Sequence, residues 1–236
     1  MLFRSINLDI TDFVGQKISG NTVVKFAPKI NGQTKIRLDL LKMTIDSVKL
    51  APTLLTYTYN DTILKINLPT TLNTVDTASV TVYYHGTPQG DPSGWGGFSF
   101  SGNYAYNLGV GFGAKPHNYG RVWFPCFDNF VEKSQYEFNI VTDTAKTTFC
   151  NGQLISDTKV GSKRTRSWVL LKEIPSYLAS VAVADYTQVN WNIVGALGNI
   201  PVTLAARKTD TTAVKSGFVH LPNAVLGFEN YYGPYV

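Results

Sequence analysis

Runs in which apolar residues recur at every second position appear repeatedly in the first 85 residues. Ile6, Leu8 and Ile10 alternate with polar neighbours, as do Ile36, Leu38 and Leu40, and Val80, Val82 and Tyr84. A period of two sets one face of an extended chain on a core and the other in water, which is the pattern of antiparallel sheets. Turn-forming steps separate the runs at Asn31-Gly32, Asn60-Asp61 and Leu68-Pro69. The spacing predicts strands near residues 5–14, 21–27, 33–42, 44–50, 54–60, 62–68 and 78–85. Later runs predict further strands near 121–124, 134–142, 145–150, 165–171, 177–186, 188–194 and 200–207.

Two stretches depart from this pattern. Gly86 to Asn103 is glycine-rich and reads as a long surface loop, or as a loop folded over a neighbouring domain or ligand with Trp95 and Phe98 as anchors. After it, Tyr104, Tyr106, Leu108, Val110 and Phe112 alternate with Ala105, Asn107, Gly109, Gly111 and Gly113. Three glycines on one strand face allow a second backbone or a loop to approach closely. The tail changes period: from Thr211, the residues Val214, Phe218, Leu221, Val225 and Phe228 fall at helical spacing, with Pro222 set to kink that helix or divide it.

The expected fold is all-β, a large antiparallel two-sheet saddle or sandwich with a short C-terminal helical segment. The composition shift near 208–212 divides a β domain over 1–208 from a linker and first helix over 209–236. A chain of 236 residues can bury roughly 70% of its unfolded surface, so it folds without a disulfide or metal.

Charge and cysteine content exclude several functions. Lys and Arg total 21 against 16 Asp and Glu, and they are dispersed except for Lys159, Lys163, Arg164 and Arg166 around Gly161-Ser162. That cluster reads as a solvated hairpin tip, and without interleaved aromatics it is no nucleic-acid face. Cys126 and Cys150 cannot form a disulfide framework and lack the second pair a metal site needs; they read as small buried hydrophobes, with a single disulfide between them as the alternative. The run Tyr177 to Tyr186 is too short to span a bilayer, and Met1-Leu2-Phe3 leads into Arg4 and a strand rather than a signal peptide. Both ends read as trimmed, which leaves secreted, periplasmic and cytoplasmic locations equally compatible.

One stretch carries more information than any other: Arg121-Val-Trp-Phe-Pro-Cys-Phe-Asp128, followed by Lys133. Pro125 forces an extended path and ends ladder pairing. Asp128 is placed to accept local backbone N–H groups as an Asx-turn, or to meet Arg121 as a partly buried ion pair. Three other segments accompany it in order: Val80 to Gly86, Phe149-Cys150-Asn151-Gly152-Gln153-Leu154, and Trp168 through Pro175, Tyr177-Leu178, Val183 and Asp185-Tyr186. Asn151-Gly152 supplies the positive φ of a tight hairpin turn. Together they resemble the N-terminal domain of the aminopeptidase N family of zinc peptidases, and Gly227 to Tyr235 is similar to the step that opens that family's zinc-binding domain.

The resemblance implies a domain beside a catalytic centre rather than the centre itself. Catalysis in the family rests on a His-Glu-x-x-His helix with a distant Glu holding zinc, and a Gly-x-Met-Glu-Asn strand binds the substrate amine. With only His85, His117 and His220, and only Met1 and Met43, this sequence contains neither motif. No catalytic or metal-binding residue is therefore expected, and zinc is expected in a separate catalytic domain of the same polypeptide, which would be the chain's partner together with a peptide substrate. The implied role is to cap one side of the active-site cleft and shape substrate access. The family also lends a Gln or Glu to the amine pocket shortly before the signature Arg. Here those positions hold Ala114 and Pro116, which cannot pair with an ammonium group, and His117 and Asn118 are the candidate polar substitutes. Two other readings stand beside this one: a free-standing β-sandwich that binds glycan or peptide through its 13 Tyr, 13 Phe and 4 Trp, or a domain of a degenerate, non-catalytic relative.

Overall fold

The computed structural model describes residues 2–235. Its first strands in chain order are β1 (Phe3–Asp12), β2 (Lys17–Phe26), β3 (Gln33–Asp39), β4 (Thr44–Leu50), β5 (Thr53–Leu54), β6 (Tyr57–Tyr59), β7 (Ile63–Leu72) and β8 (Ala78–Gly86). There follow β9 (Gly96–Ser101), β10 (Tyr104–Gly111), β11 (Lys133–Asp143), β12 (Thr147–Cys150), β13 (Gln153–Val160), β14 (Lys163–Pro175) and β15 (Val181–Ala184). The tail holds β16 (Thr187–Gly195), β17 (Gly198–Ala206), α1 (Thr211–Gly217) and α2 (Leu221–Tyr232). The all-β architecture with a helical tail is as the sequence predicts.

Contacts divide the chain into two units, one up to Ala184 and one from Asp185 onward. The division lies upstream of the composition shift at 208, because the β16–β17 hairpin packs with the helices: Lys215 Nζ sits 6.0 Å from the Trp191 ring, and Glu229 accepts the Ala196 N–H. The predicted helix is two helices, separated at Phe218–His220, with Pro222 in the first turn of α2, where a missing N–H costs nothing.

The first unit contains three sheets. An eight-stranded sheet runs β13-β14-β11-β1-β2-β8-β4-β5, a four-stranded one β12-β15-β10-β9, and a three-stranded one β3-β7-β6. All pairings are antiparallel except β1 with β11, which run parallel in the middle of the large sheet with Ile6 opposite Phe138 and Leu8 opposite Ile140. The period-2 pattern of β1 explains its place: Ile6, Leu8 and Ile10 are fully buried, while Ser5 and Asn7 on the reverse face bond to Glu137, Asn21 and Asn139. One apolar cluster joins residues from all three sheets.

Three predicted elements change and one strand was not predicted. The stretch 86–103 is only partly loop, since β9 lies within it and forms a hairpin with β10. Residues 121–124 are not a strand: Gly120–Val122 is a 3₁₀ turn, and the chain then runs buried and irregular to Cys126. The segment 177–186 splits into a 3₁₀ turn at Ser176–Leu178 and the short β15. Strand β13 is exposed along most of its length, so it carries no alternation by which sequence could reveal it.

The predicted Asn151-Gly152 hairpin is instead a crossover between sheets, because β12 pairs with β15 while β13 pairs with β14. Asn151 Oδ1 accepts the Ser180 N–H at 2.6 Å, and Gly152 has φ +90° with its α-carbon against β14. A Cβ on Gly152 would lie 2.2 Å from the Val169 carbonyl oxygen. Gly152→Ala is therefore expected to cost on the order of 2–3 kcal/mol from strain and overlap together. Urea unfolding measures it, and an unchanged midpoint would show that β14 can retreat.

The basic cluster divides: Lys159 and Lys163 flank the exposed tip of the β13–β14 hairpin, as the sequence predicts, whereas the two arginines are engaged. Arg164 pairs with Asp157, and Arg166 is 2% exposed, donates to the Thr148 carbonyl, and lies 5.1 Å from both the Phe149 and Trp168 rings. Cys126 is buried and Cys150 half-buried, and both are free thiols. Burial raises the Cys126 thiol well above its ordinary range.

Candidate functional site

The signature segment builds the site from the core outward. Val122, Trp123, Phe124, Pro125 and Cys126 are all buried. The Trp123 ring lies 4.7 Å from Phe124, 6.3 Å from Phe98 on β9 and 6.4 Å from Phe138 on β11, while its carbonyl accepts the Tyr84 hydroxyl from β8 at 2.9 Å. Cys126 exchanges two backbone hydrogen bonds with Asp39 at the end of β3, at 2.7 and 3.0 Å. One short segment thus touches all three sheets of the first unit. Apolar side chains suit that place, and Pro125, which has no N–H to donate, suits a segment outside the ladders.

Asp128 closes the segment. Its side chain is fully buried, Oδ1 accepts from Gly120 N at 3.2 Å and Ser176 Oγ at 2.7 Å, and Oδ2 accepts from Arg121 N at 3.3 Å and Arg121 Nη1 at 3.1 Å. The ion pair with Arg121 is present. The N–H groups it receives lie seven and eight residues upstream, however, and the Asx-turn belongs to Asn129, whose Oδ1 accepts from Val131 and Glu132. Burial pushes the Asp128 carboxyl up, against the pull of Ser176 and Arg121. With both oxygens occupied, Asp128 is a brace rather than a proton acceptor.

The loop before the signature is fixed by a residue that sequence reading did not single out. Asp91 is 5% exposed, and its Oδ2 accepts from Gly113 N at 2.9 Å, from Ser93 N at 3.0 Å and from the Ser93 hydroxyl. Those bonds, Ser93 first, hold its carboxyl below the usual value. The signal was available in Asp91-Pro92-Ser93, an Asx-turn pattern inside a stretch read as loop. Gly111 N donates to the His117 carbonyl at 2.9 Å, His117 Nδ1 donates to the Gly111 carbonyl at 3.1 Å, and Tyr119 N donates to Gly109.

Ala114 is buried in this loop, whereas Lys115, Pro116 and His117 face solvent. Asn118 is fully buried, and neither its side-chain nitrogen nor its oxygen has a protein partner. Of the two candidate substrate contacts, His117 is at the surface and Asn118 is internal. The loop and signature border a cleft of about 510 Å³ with Arg37, Asp39, Tyr119, Arg121 and Asp128 in its wall. Asp39 Oδ2 accepts the Asp128 N–H at 3.1 Å, and the Arg121 guanidinium stands 5.2 Å from the Tyr119 ring. Such a wall can bind and orient.

The glycine face of β10 meets close neighbours, as the sequence predicts: a Cβ on Gly109 would lie 2.0 Å from the Tyr177 carbonyl oxygen. The opposite face is open. Tyr106, Leu108 and Phe112 are exposed there, and Trp95 stacks on Phe112 with centroids 4.7 Å apart. Phe98, by contrast, anchors its own core at 3% exposure.

Among the described residues, no three His, Cys, Asp or Glu side chains are grouped to hold a metal, so the site does not fit a zinc ion. No described helix is long and apolar enough to cross a membrane.

Residues 4–178 match the Peptidase M1 N-terminal domain, and the chain belongs to that family. An M1 zinc metallopeptidase from Deinococcus radiodurans, solved with a Tyr-Ser-Ala substrate, superposes with a TM-score of 0.84 at 17% identity, covering 99% of this chain and 54% of that one. Legionella pneumophila aminopeptidase A gives 0.80 at 14% identity over 98% of this chain and 27% of its own. Native yeast LTA4 hydrolase gives 0.76 at 16% identity, with 97% and 35% covered. The chain thus spans about half the length of the first of these or less. At these identities the likeness is one of fold. No curated protein sequence matches, and the comparisons lend no support to a free-standing glycan-binding module.

Proposed function

We propose that this chain is the part of a zinc peptidase that caps one side of the active-site cleft and shapes substrate access, the zinc being held by a catalytic domain of the same polypeptide. The observation that carries the reading is the open aromatic face of β10, with Tyr106, Leu108, Phe112 and Trp95 beside the anchored loop before Arg121. An exposed apolar face of this kind suits docking, and membership of the M1 N-terminal family supports a catalytic domain as the partner. On this reading the loop around Lys115 and His117 faces substrate, and Ala114 and Pro116 contribute shape without charge.

Two measurements test the proposal. The 236-residue chain alone should release no amino acid from a peptide, while the parent polypeptide should do so in a zinc-dependent manner. Zinc-dependent release by the isolated chain would overturn it. Within an active parent, His117→Ala should raise KM by roughly three- to tenfold with little change in kcat, as expected for loss of one surface hydrogen bond or charge made equally in ground and transition states. Unchanged kinetics would remove His117 from the substrate path.

A further inference from the structure

The outer edge of β3 is a second candidate site, which shares Arg37 alone with the cleft beside the signature. β3 is the edge strand of its sheet, paired with β7 on one side only. At its end, Asp39 turns its N–H and C=O outward to Cys126. In an antiparallel strand this direction repeats every second residue, so Arg37 and Lys35 turn their N–H and C=O to the same side. Cys126 therefore begins a fourth strand that the chain does not continue.

Along this open edge lies a cleft of about 370 Å³. Phe26 and Ile36, both buried, and the half-buried Phe127 give it an apolar lining, and Lys29, Lys35 and Arg37 stand on it with the carboxylate of Glu132, Arg37 Nη2 also lying 3.5 Å from Asp39 Oδ1. Side chains alternate along β3: Ile36 and Leu38 are buried, while Lys35 and Arg37 are exposed. An added strand would alternate in the same way. Residues opposite Lys35 and Arg37 would meet cations, and the residue between them would point toward the apolar lining.

We infer that the β3 edge binds an extended peptide segment with an acidic–apolar–acidic pattern, added as a fourth strand. Edge lysines discourage a second copy of the same strand, because like charges would face each other across the new ladder. An acidic strand reverses that sign, so the same side chains that oppose self-association favour this partner. Backbone hydrogen bonds provide the attachment, and the charge pair with the apolar pocket provides the selectivity.

The test uses this chain and fluorescein-labelled nonapeptides centred on Asp-Leu-Asp. Binding is expected by fluorescence anisotropy, weakening as salt rises. The Lys-Leu-Lys peptide, and the Lys35→Glu/Arg37→Glu double variant, should each weaken it at least about tenfold. Both substituted side chains are exposed, so an unchanged thermal midpoint will show that the variant is folded. N-methylation of the peptide amide opposite Arg37 should abolish binding if a ladder forms. Equal binding of the methylated peptide would overturn strand addition, and no binding by either peptide would overturn the site. Competition by dodecanoate as strong as by the peptide would also overturn it, assigning the cleft to small amphipathic anions.

Discussion

Trp123→Ala is expected to lower the unfolding free energy by about 3–5 kcal/mol, the range for truncating a large buried aromatic. Trp123 is 0% exposed and packs on Phe98, Phe124 and Phe138, which come from two sheets and the signature itself. Its indole N–H has no partner among the described residues, so truncation breaks no hydrogen bond and the loss is one of packing. The surrounding rings are held by separate strands and cannot collapse far into the cavity. Trp123→Phe keeps most of the volume and should cost less than about 2 kcal/mol. Urea unfolding at constant slope separates these values, and the Ala variant should melt roughly 6–20 °C lower. A loss under about 1 kcal/mol would show that the three sheets hold together without this ring.

Asp128→Ala should cost a comparable amount, about 3–5 kcal/mol, for an electrostatic reason. Removing the carboxylate leaves the Gly120 and Arg121 N–H groups and the Ser176 hydroxyl without their acceptor, and Arg121 without its counter-charge. A buried ion pair adds little net stability when made, yet breaking one side of it is expensive. The pH dependence carries a sign that distinguishes this residue. Burial raises the folded carboxyl above the ordinary 3.8. Above 3.8 the native state then holds the proton more tightly than the unfolded chain does. The stability this residue contributes is thus full below 3.8 and is lost as pH rises through the raised folded value. Asp157 has the opposite sign, because its bond to Arg164 lowers its carboxyl. Asp128→Asn should remove the Asp128 component from the slope of stability against pH. An identical slope in wild type and Asp128→Asn would show that the carboxyl titrates the same way folded and unfolded.

Most strands of the first 85 residues were legible because each buries one face, and burial of one face writes a period of two into the sequence. β13 was not legible, since an exposed edge strand imposes no such period. Residues 121–124 were misread as a strand for the opposite reason. From Val122 to Cys126 the chain is buried on every side, and a continuous apolar run does not distinguish a strand from a wedge. The Arg121–Asp128 pair could be proposed from charge and spacing, but Ser176 could not, because it lies 48 residues away along the chain and meets Asp128 only in space. For Asp91 the local turn to Ser93 was legible, but its hold on the Gly113 N–H, 22 residues on, was not.

By itself, the sequence determined the fold class, the antiparallel alternation and the family signature, all of which depend on local spacing and residue type. It also excluded a His-Glu-x-x-His zinc site within these residues. Only the tertiary structure decided that Asn118 is internal while His117 is exposed, that Asn151-Gly152 joins two sheets, and that β3 keeps an open edge beside a cationic cleft. Those facts depend on which distant strands become neighbours. Pairing is chosen by the burial of whole faces against one another, and no local window of residues records that choice.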